Sequence, residues 1–432
     1  MTTRLWQSTA ASLRRGVLAL LGVALLLGAC GGGADRTKAR VRLLNASAYS
    51  SLDLTVDDTR RFSAVAYGAS ADFVEVSPGS ATSSIASAGS ATALLSFTPA
   101  LNRNDAYTVL AYGAQGSLAQ LLLDENANEP DANKSLLRVV NAAPDAGKLD
   151  VYITGSSDAL STAVPLQAAA ELGKVGSYLT VNSATWRLRI SAADKKDDLR
   201  LDLPAIALGS KQIVTLVITP GSGGALVNAL LVTQQGAITR QDNTQARVRV
   251  AAAVTDSGTV AASVGGVTLR SGLGAPFVSL YSLVPAGSAA VSVAVNAVPA
   301  ASTTTLTAGA DYTLLVYGTP ATPRLSWLQD DNRLPKATTA AHLRLVHAVA
   351  DLPAPLSLTS NFLPVADNVQ QGSASIPAAL TATSKASFSV TALGVSTPVY
   401  SAVEQELLAA GVYTLFIVGA GSAPVGVLVS DR

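Results

Sequence analysis

General acid–base work near neutral pH, or ligation of a metal through imidazole, needs histidine, and this 432-residue chain carries two, His342 and His347. On an extended strand these two project to opposite faces, so they hold no single metal together without a bulge. His347 reads instead as a strand residue hydrogen-bonded into a turn. No Gly-x-Ser-x-Gly elbow accompanies them, which leaves a Ser-His-Asp triad without its frame. Asp124-Glu125-Asn126-Ala127-Asn128 opens like a calcium loop, Asp-x-Asn-x-Asn. Glu129 then stands where the sharp turn needs glycine, Pro130 follows, and Ser135 stands where a bidentate glutamate closes the shell. The stretch is therefore expected to be a solvated linker; the alternative is an improvised calcium site between domains built from Asp124, Asn126 and Asn128. No glycine-rich phosphate loop leads into a helix. The inventory predicts no catalytic residue, no metal and no organic cofactor.

Four arginines recur at one position of a repeated pattern. Val41-Arg42-Leu43-Leu44-Asn45-Ala46 returns as Leu137-Arg138-Val139-Val140-Asn141-Ala142, as Val248-Arg249-Val250-Ala251-Ala252-Ala253 and as Leu343-Arg344-Leu345-Val346-His347-Ala348. By subtraction the arginines are 96, 111 and 95 residues apart. A second landmark follows each of them: Ala106-Tyr107-Thr108-Val109-Leu110, Lys211-Gln212-Ile213-Val214-Thr215-Leu216, Asp311-Tyr312-Thr313-Leu314-Leu315 and Val412-Tyr413-Thr414-Leu415-Phe416. A period near 100 residues is too long for solenoid repeats and suits self-contained domains in tandem. Asp53 and Asp150 lie 11 and 12 residues beyond Arg42 and Arg138, where an antiparallel next strand would bring them alongside. A cross-strand ion pair is expected there, structural in role, since Ala261 and Leu356 stand at the matching distance from Arg249 and Arg344.

The elements that carry these residues read as strands. Leu149, Val151 and Ile153 alternate with Asp150, Tyr152 and Thr154, and Trp186, Leu188 and Ile190 with Arg187, Arg189 and Ser191, the period of half-buried strands. Ile213 to Ile218 and Val412 to Val418 are continuously apolar, as central strands covered on both faces are. Val403 to Ala410 is the one stretch that suggests a turn or two of helix before Gly411. The expectation is an all-β chain of four immunoglobulin-like antiparallel sandwiches, at 40–128, 135–238, 245–332 and 340–432. The linkers between them, Glu125 to Ser135, Gly236 to Gln245 and Asp330 to Thr339, are polar and should be where proteases cut.

The lone cysteine, Cys30, follows the basic pair Arg14-Arg15 and the apolar run Gly16 to Leu27. A charged start, a short apolar core and small residues at the cut make an export signal, here 1–29, too short to span a bilayer comfortably. Leu27-Gly28-Ala29-Cys30 resembles the lipobox of bacterial lipoproteins, which implies cleavage before Cys30, acylation of it, and 30–39 as a tether. By the sorting rules of that class Gly31, not Asp, points to the outer membrane. Removing 1–29 leaves 27 basic (30 minus Arg4, Arg14 and Arg15) against 29 acidic side chains, a balance that speaks against nucleic acid. Aromatic residues are 5% of the chain, few for a platform of rings that stacks sugars.

Leu137 to Ala146, followed by Leu149-Asp150-Val151-Tyr152-Ile153, resembles the bacterial family known as domain of unknown function 4397. The resemblance implies an exported, often lipid-anchored protein and carries no activity. The family opening commonly has histidine where this chain has Asn45, Asn141 and Ala252; His347 matches. The likeness is good in the second and fourth units, fair in the first and weak in the third. The resulting expectation is a non-catalytic envelope lipoprotein acting as scaffold, spacer or adhesive surface, with an envelope protein or glycan as partner. The alternative is a glycan- or peptide-binding module that docks ligand on a sheet edge or in a crevice between domains; a hydrolase comes third.

Overall fold

The computed structural model describes residues 35–432, so Cys30, the signal segment and the start of the tether lie outside the described residues. Side-chain alternation decides the architecture. In the opening strand Ala39–Ser47, the residues Ala39, Val41 and Leu43 enter the core of their own unit, while Leu44 and Ala46 face the opposite way into a second apolar cluster. A strand of this kind must be covered on both faces.

In the first unit one sheet runs in the order Ser117–Asp124, Ala106–Ala114, Ala39–Ser47, Val74–Val76, and the other in the order Thr59–Ala66, Ser51–Val56, Ser83–Ser87, Ala93–Phe97. The same order returns in the other three units, with a fifth strand added to the first sheet of the second unit (Ile238–Gln241) and of the third (Ser282–Pro285), and each packs its two sheets around its own core as a β-sandwich of the immunoglobulin-like class. One pairing in each unit departs from the antiparallel expectation. The opening strand lies parallel to the strand of the second landmark, with Arg42 opposite Thr108, Arg138 opposite Thr215, Arg249 opposite Thr313 and Arg344 opposite Thr414. Between the two strands the chain crosses to the far sheet and back, so both enter from the same end.

The units are joined in pairs. Leu44, Ala46, Leu110 and Leu123 of the first unit pack on Val140, Ala142, Val217, Leu230 and Val232 of the second. Ala251, Ala253, Leu315, Tyr317 and Leu328 of the third pack on Val346, Ala348, Phe416 and Val418 of the fourth. Each pair therefore stacks four sheets, and the second cover on the central strands is the neighbouring unit. The pair itself is repeated: Arg249 lies 207 residues after Arg42, and Arg344 lies 206 after Arg138. Tyr112 and Tyr317 mark the same place in the two interfaces. Each hydroxyl lies against a glycine of the following unit, Gly173 at φ +69° and Gly372 at φ +77°, where an added Cβ would collide with it.

Two expectations need correction. Tyr400–Leu407 is a strand and not a helical turn, because it pairs along Thr383–Ala392 as the edge of the outer sheet. Nor are the linkers loose: Glu125, Asp330 and Asn332 are buried, each held by a neighbouring arginine or aspartate. In the links within the pairs the exposed runs are 128–129, 131–133 and 336–339. Cleavage at 336–339 is accordingly expected to leave the third and fourth units together under native conditions, since nine buried apolar side chains still join them. Gel filtration of the nicked protein checks this; free fragments of roughly 100 residues in native buffer would contradict it.

Among the described residues no helix is long and apolar enough to cross a membrane.

Candidate functional site

The repeated arginines point away from their own cores, toward the rim of the pair interface. In all four units the guanidinium Nε donates to the threonine opposite it: Arg42 to Thr108 at 2.8 Å, Arg138 to Thr215 at 2.8 Å, Arg249 to Thr313 at 2.9 Å and Arg344 to Thr414 at 2.8 Å. A third position completes the set. Leu123, Val232, Leu328 and Val429 pair with those threonines across the last strand, and two residues further on stand Glu125, Gln234, Asp330 and Asp431. The threonine hydroxyl donates to the carboxylate in three units, Thr108 to Glu125, Thr313 to Asp330 at 2.6 Å and Thr414 to Asp431 at 2.5 Å.

In the third and fourth units the arginines reach across. Arg344 Nη2 donates to Asp330 at 2.7 Å, and Arg249 Nη1 to Asp431 at 2.5 Å, so each unit's arginine grips the carboxylate that ends its partner. The side chains of Arg249 and Asp330 are 2% and 0% exposed. In the first pair the crossing is weaker. Arg42 pairs with Glu125 of its own unit at 2.6 Å and reaches the carbonyl of Gly236, while Arg138 donates to the carbonyl of Asp124. Gln234, in the place of the acid, exchanges two hydrogen bonds with the backbone of Ala127.

The expected pairing of Arg42 with Asp53 and of Arg138 with Asp150 is not found. Those aspartates lie on strands of the outer sheet, because the chain crosses to the other layer after the opening strand. Asp53 accepts from the backbone N–H groups of Ala64 and Gly89, and Asp150 from those of Ala169 and Asp194, holding bulge and turn residues at positive φ. His347 is buried and its Nε2 lies 3.2 Å from the Ala354 carbonyl. Burial depresses its pKa against the hydrogen bonds to Ala354 and Leu352. Asn45 and Asn141 serve the same turn, donating to the carbonyls of Tyr49 and Gly147. His342 contacts the Arg333 carbonyl instead, so the two histidines do not meet.

Asp124 accepts from the backbone and side chain of Asn126, while Glu125 is buried and taken by Arg42. Among the described residues no three histidine, cysteine, aspartate or glutamate side chains are grouped so as to hold a metal ion.

The densest charge lies where the second, third and fourth units meet. Arg247 binds Asp311 in a two-pronged pair at 2.9 and 2.8 Å and reaches Asp198 of the second unit at 2.8 Å. Asp198 also takes Arg200 at 2.5 Å. Tyr281 lies 4.4 and 4.5 Å from the guanidinium carbons of Arg247 and Arg249 and donates to Asp330. Asn332 donates to Asp311. Arg432 bonds the carbonyls of Asp145, Gly224 and Asn332, tying the last residue to the second unit and the third linker. Burial, with Arg247 alongside, pushes the Arg200 guanidinium down to about 10. Burial also opposes the charge of Asp330, yet Arg344 and Arg249 outweigh it and hold the carboxyl below its usual value. The sequence repeat pointed to the arginines; the threonines were present in the second landmark, but the acid position and the Arg247–Asp198 bridge depend on register and unit packing.

Among solved structures, a Bacteroides uniformis protein provisionally described as a cell adhesion protein aligns with 47% of this chain and 99% of its own, at 10% identity and a TM-score of 0.19. A Bacteroides fragilis protein described in the same terms covers 46% and 98%, at 14% identity and a TM-score of 0.16. The Bacillus anthracis TIE protein covers 88% and 67%, at 9% identity and a TM-score of 0.14. Scores this low carry no functional argument. No curated protein matches the chain. The family described as "Domain of unknown function (DUF4397)" matches residues 39–152 and 246–355. Each stretch takes in the first unit of a pair and the opening strands of the second, so the match follows the pair repeat. By these two matches, over half its length, the chain belongs to the domain of unknown function 4397 family.

Proposed function

We propose that the chain is a non-catalytic lipoprotein of the bacterial cell envelope, held through acylated Cys30 in the outer membrane and acting as a stiff spacer or adhesive surface. The observation that carries this reading is the interlock of the units. Apolar interfaces within both pairs, buried ion pairs across the rim of the second pair and the Arg247–Asp198 bridge between the pairs replace the free linkers that would let four domains move as beads. Stiffness is what a spacer needs and what a flexible tether lacks. The partner is an envelope protein or a glycan, with no role for nucleic acid or a cofactor.

Two or more acyl chains hold a protein stably at about 0.8 kcal/mol per buried methylene, whereas an unlipidated form has nothing comparable. Cys30→Ser is therefore expected to abolish membrane retention of the processed chain, read by fractionation of the two membranes. A cleaved Cys30→Ser protein that stays in the membrane overturns the anchor, and wild-type protein found solely in the inner membrane overturns the outer-membrane assignment.

A further inference from the structure

We propose that the junction of the second, third and fourth units binds a carboxylate-bearing sugar, with the carboxylate on Arg249 and the sugar hydroxyls along the groove toward Gln245. A cavity of about 120 Å³ at this junction is lined by Lys195, Arg249, Ser279, Tyr281, Ser430 and Asp431 among others. It shares Asp197, Arg247 and Tyr281 with a groove of about 370 Å³ that runs on past Asp202, Gln245 and Ser282.

Three observations select the ligand chemistry. First, the inner end is rich in cationic donors: Lys195, Arg247, Arg249 and Arg432 line it beside Asp197, Asp198 and Asp431. A guanidinium with hydrogen-bonding capacity to spare favours a carboxylate as its acceptor. Second, a donor is left over. Arg249 lines the cavity, its side chain is 2% exposed, and its Nη2 is buried without a partner. Third, Gln245 Oε1, on the groove side, is a buried acceptor without a donor.

A monoanion at the inner end with hydroxyl donors further out satisfies all three, and a uronic acid is such a molecule. A phosphate monoester carries about −1.5 to −2 at neutral pH, and Asp197 in the wall opposes the second charge. The faces of Tyr281 are occupied by guanidinium groups, so recognition runs through hydrogen bonds and not through stacking.

The test is calorimetric titration of the detergent-solubilised full chain with galacturonate, neutral galactose, sodium acetate and an aspartate-rich peptide. Galacturonate is expected to bind, with galactose at least about tenfold weaker, and Gln245→Leu and Lys195→Glu each to weaken it by about tenfold. Both variants lie at the groove and mouth and keep the clamp around Asp330 intact; Arg249→Gln should remove binding but also touches that clamp. No binding of galacturonate at millimolar concentration, equal binding of galactose, preference for the peptide, heat from acetate matching the sugar acid, or unchanged affinity in both mouth variants would each overturn the proposal. None of these outcomes bears on the lipid anchor, which Cys30→Ser tests separately.

Discussion

Asp330→Ala is expected to lower the stability of the third and fourth units by about 3–5 kcal/mol, the cost of leaving buried charges without their partner. The carboxylate serves Arg344 at 2.7 Å, Thr313 at 2.6 Å and Tyr281 at 2.6 Å, and Arg344 and Thr313 are buried. Removing an exposed pair such as Lys385–Glu404 should change stability by about 0–1 kcal/mol. Denaturant unfolding of the two variants separates the cases, and a loss below about 1 kcal/mol for Asp330→Ala would mean that the buried clamp behaves like a surface pair. The pH dependence has a fixed sign. Because the folded-state pKa of Asp330 is held down, its contribution is full above the unfolded carboxylate value and is lost as pH falls through the folded one. Acid should therefore weaken wild type more than the variant. Replacing Arg344 and Asp330 together by apolar residues should recover much of the loss, since the expense lies in the unpaired charge.

The strands of this chain were legible because period-two alternation and the Gly, Pro, Asn and Asp punctuation are local signals. Leu149, Val151 and Ile153 enter the core as their spacing requires. The continuous apolar run Val412 to Val418 announced two covered faces, but not that Phe416 and Val418 face a second unit. What misled was the assumption that consecutive strands pair side by side. Asp53 sits 11 residues beyond Arg42, yet the chain crosses layers in between, and Glu125, 83 residues away, is the partner. Val403 to Ala410 looked helical because its residues have fair helix propensity, and an edge pairing with Thr383–Ala392 overrides a preference worth tenths of a kcal/mol per residue. The groove beside Arg247 left no trace in spacing at all: Lys195, Arg249 and Ser430 come from three units and meet only through the pair interface and the seating of Arg432.

Two neighbouring residues of one strand separate stability within a unit from stiffness between units. Leu415 points into the core of the fourth unit, and Phe416 into the interface with the third, where Arg249 lies 5.5 Å from its ring centre. Both side chains are 0% exposed, so truncation costs transfer free energy and leaves a cavity in each case, about 2–5 kcal/mol for leucine and 3–5 for phenylalanine. The consequences differ in kind. Leu415→Ala is expected to lower the unfolding midpoint of the fourth unit itself. Phe416→Ala is expected to leave that unit folded and to open the interface, so that cleavage at 336–339 releases fragments that part on gel filtration, unlike the nicked wild type. Hydrogen exchange should report the same split. Amides of Val412–Ala420 should stay protected in Phe416→Ala, because both neighbours in their sheet remain, while the rim held by Arg344 and Asp330 opens. If nicked Phe416→Ala still elutes as one body and unfolds at the wild-type midpoint, the apolar interface is not what locks the units. The rigidity proposed for the spacer would then have to rest on the ion pairs alone.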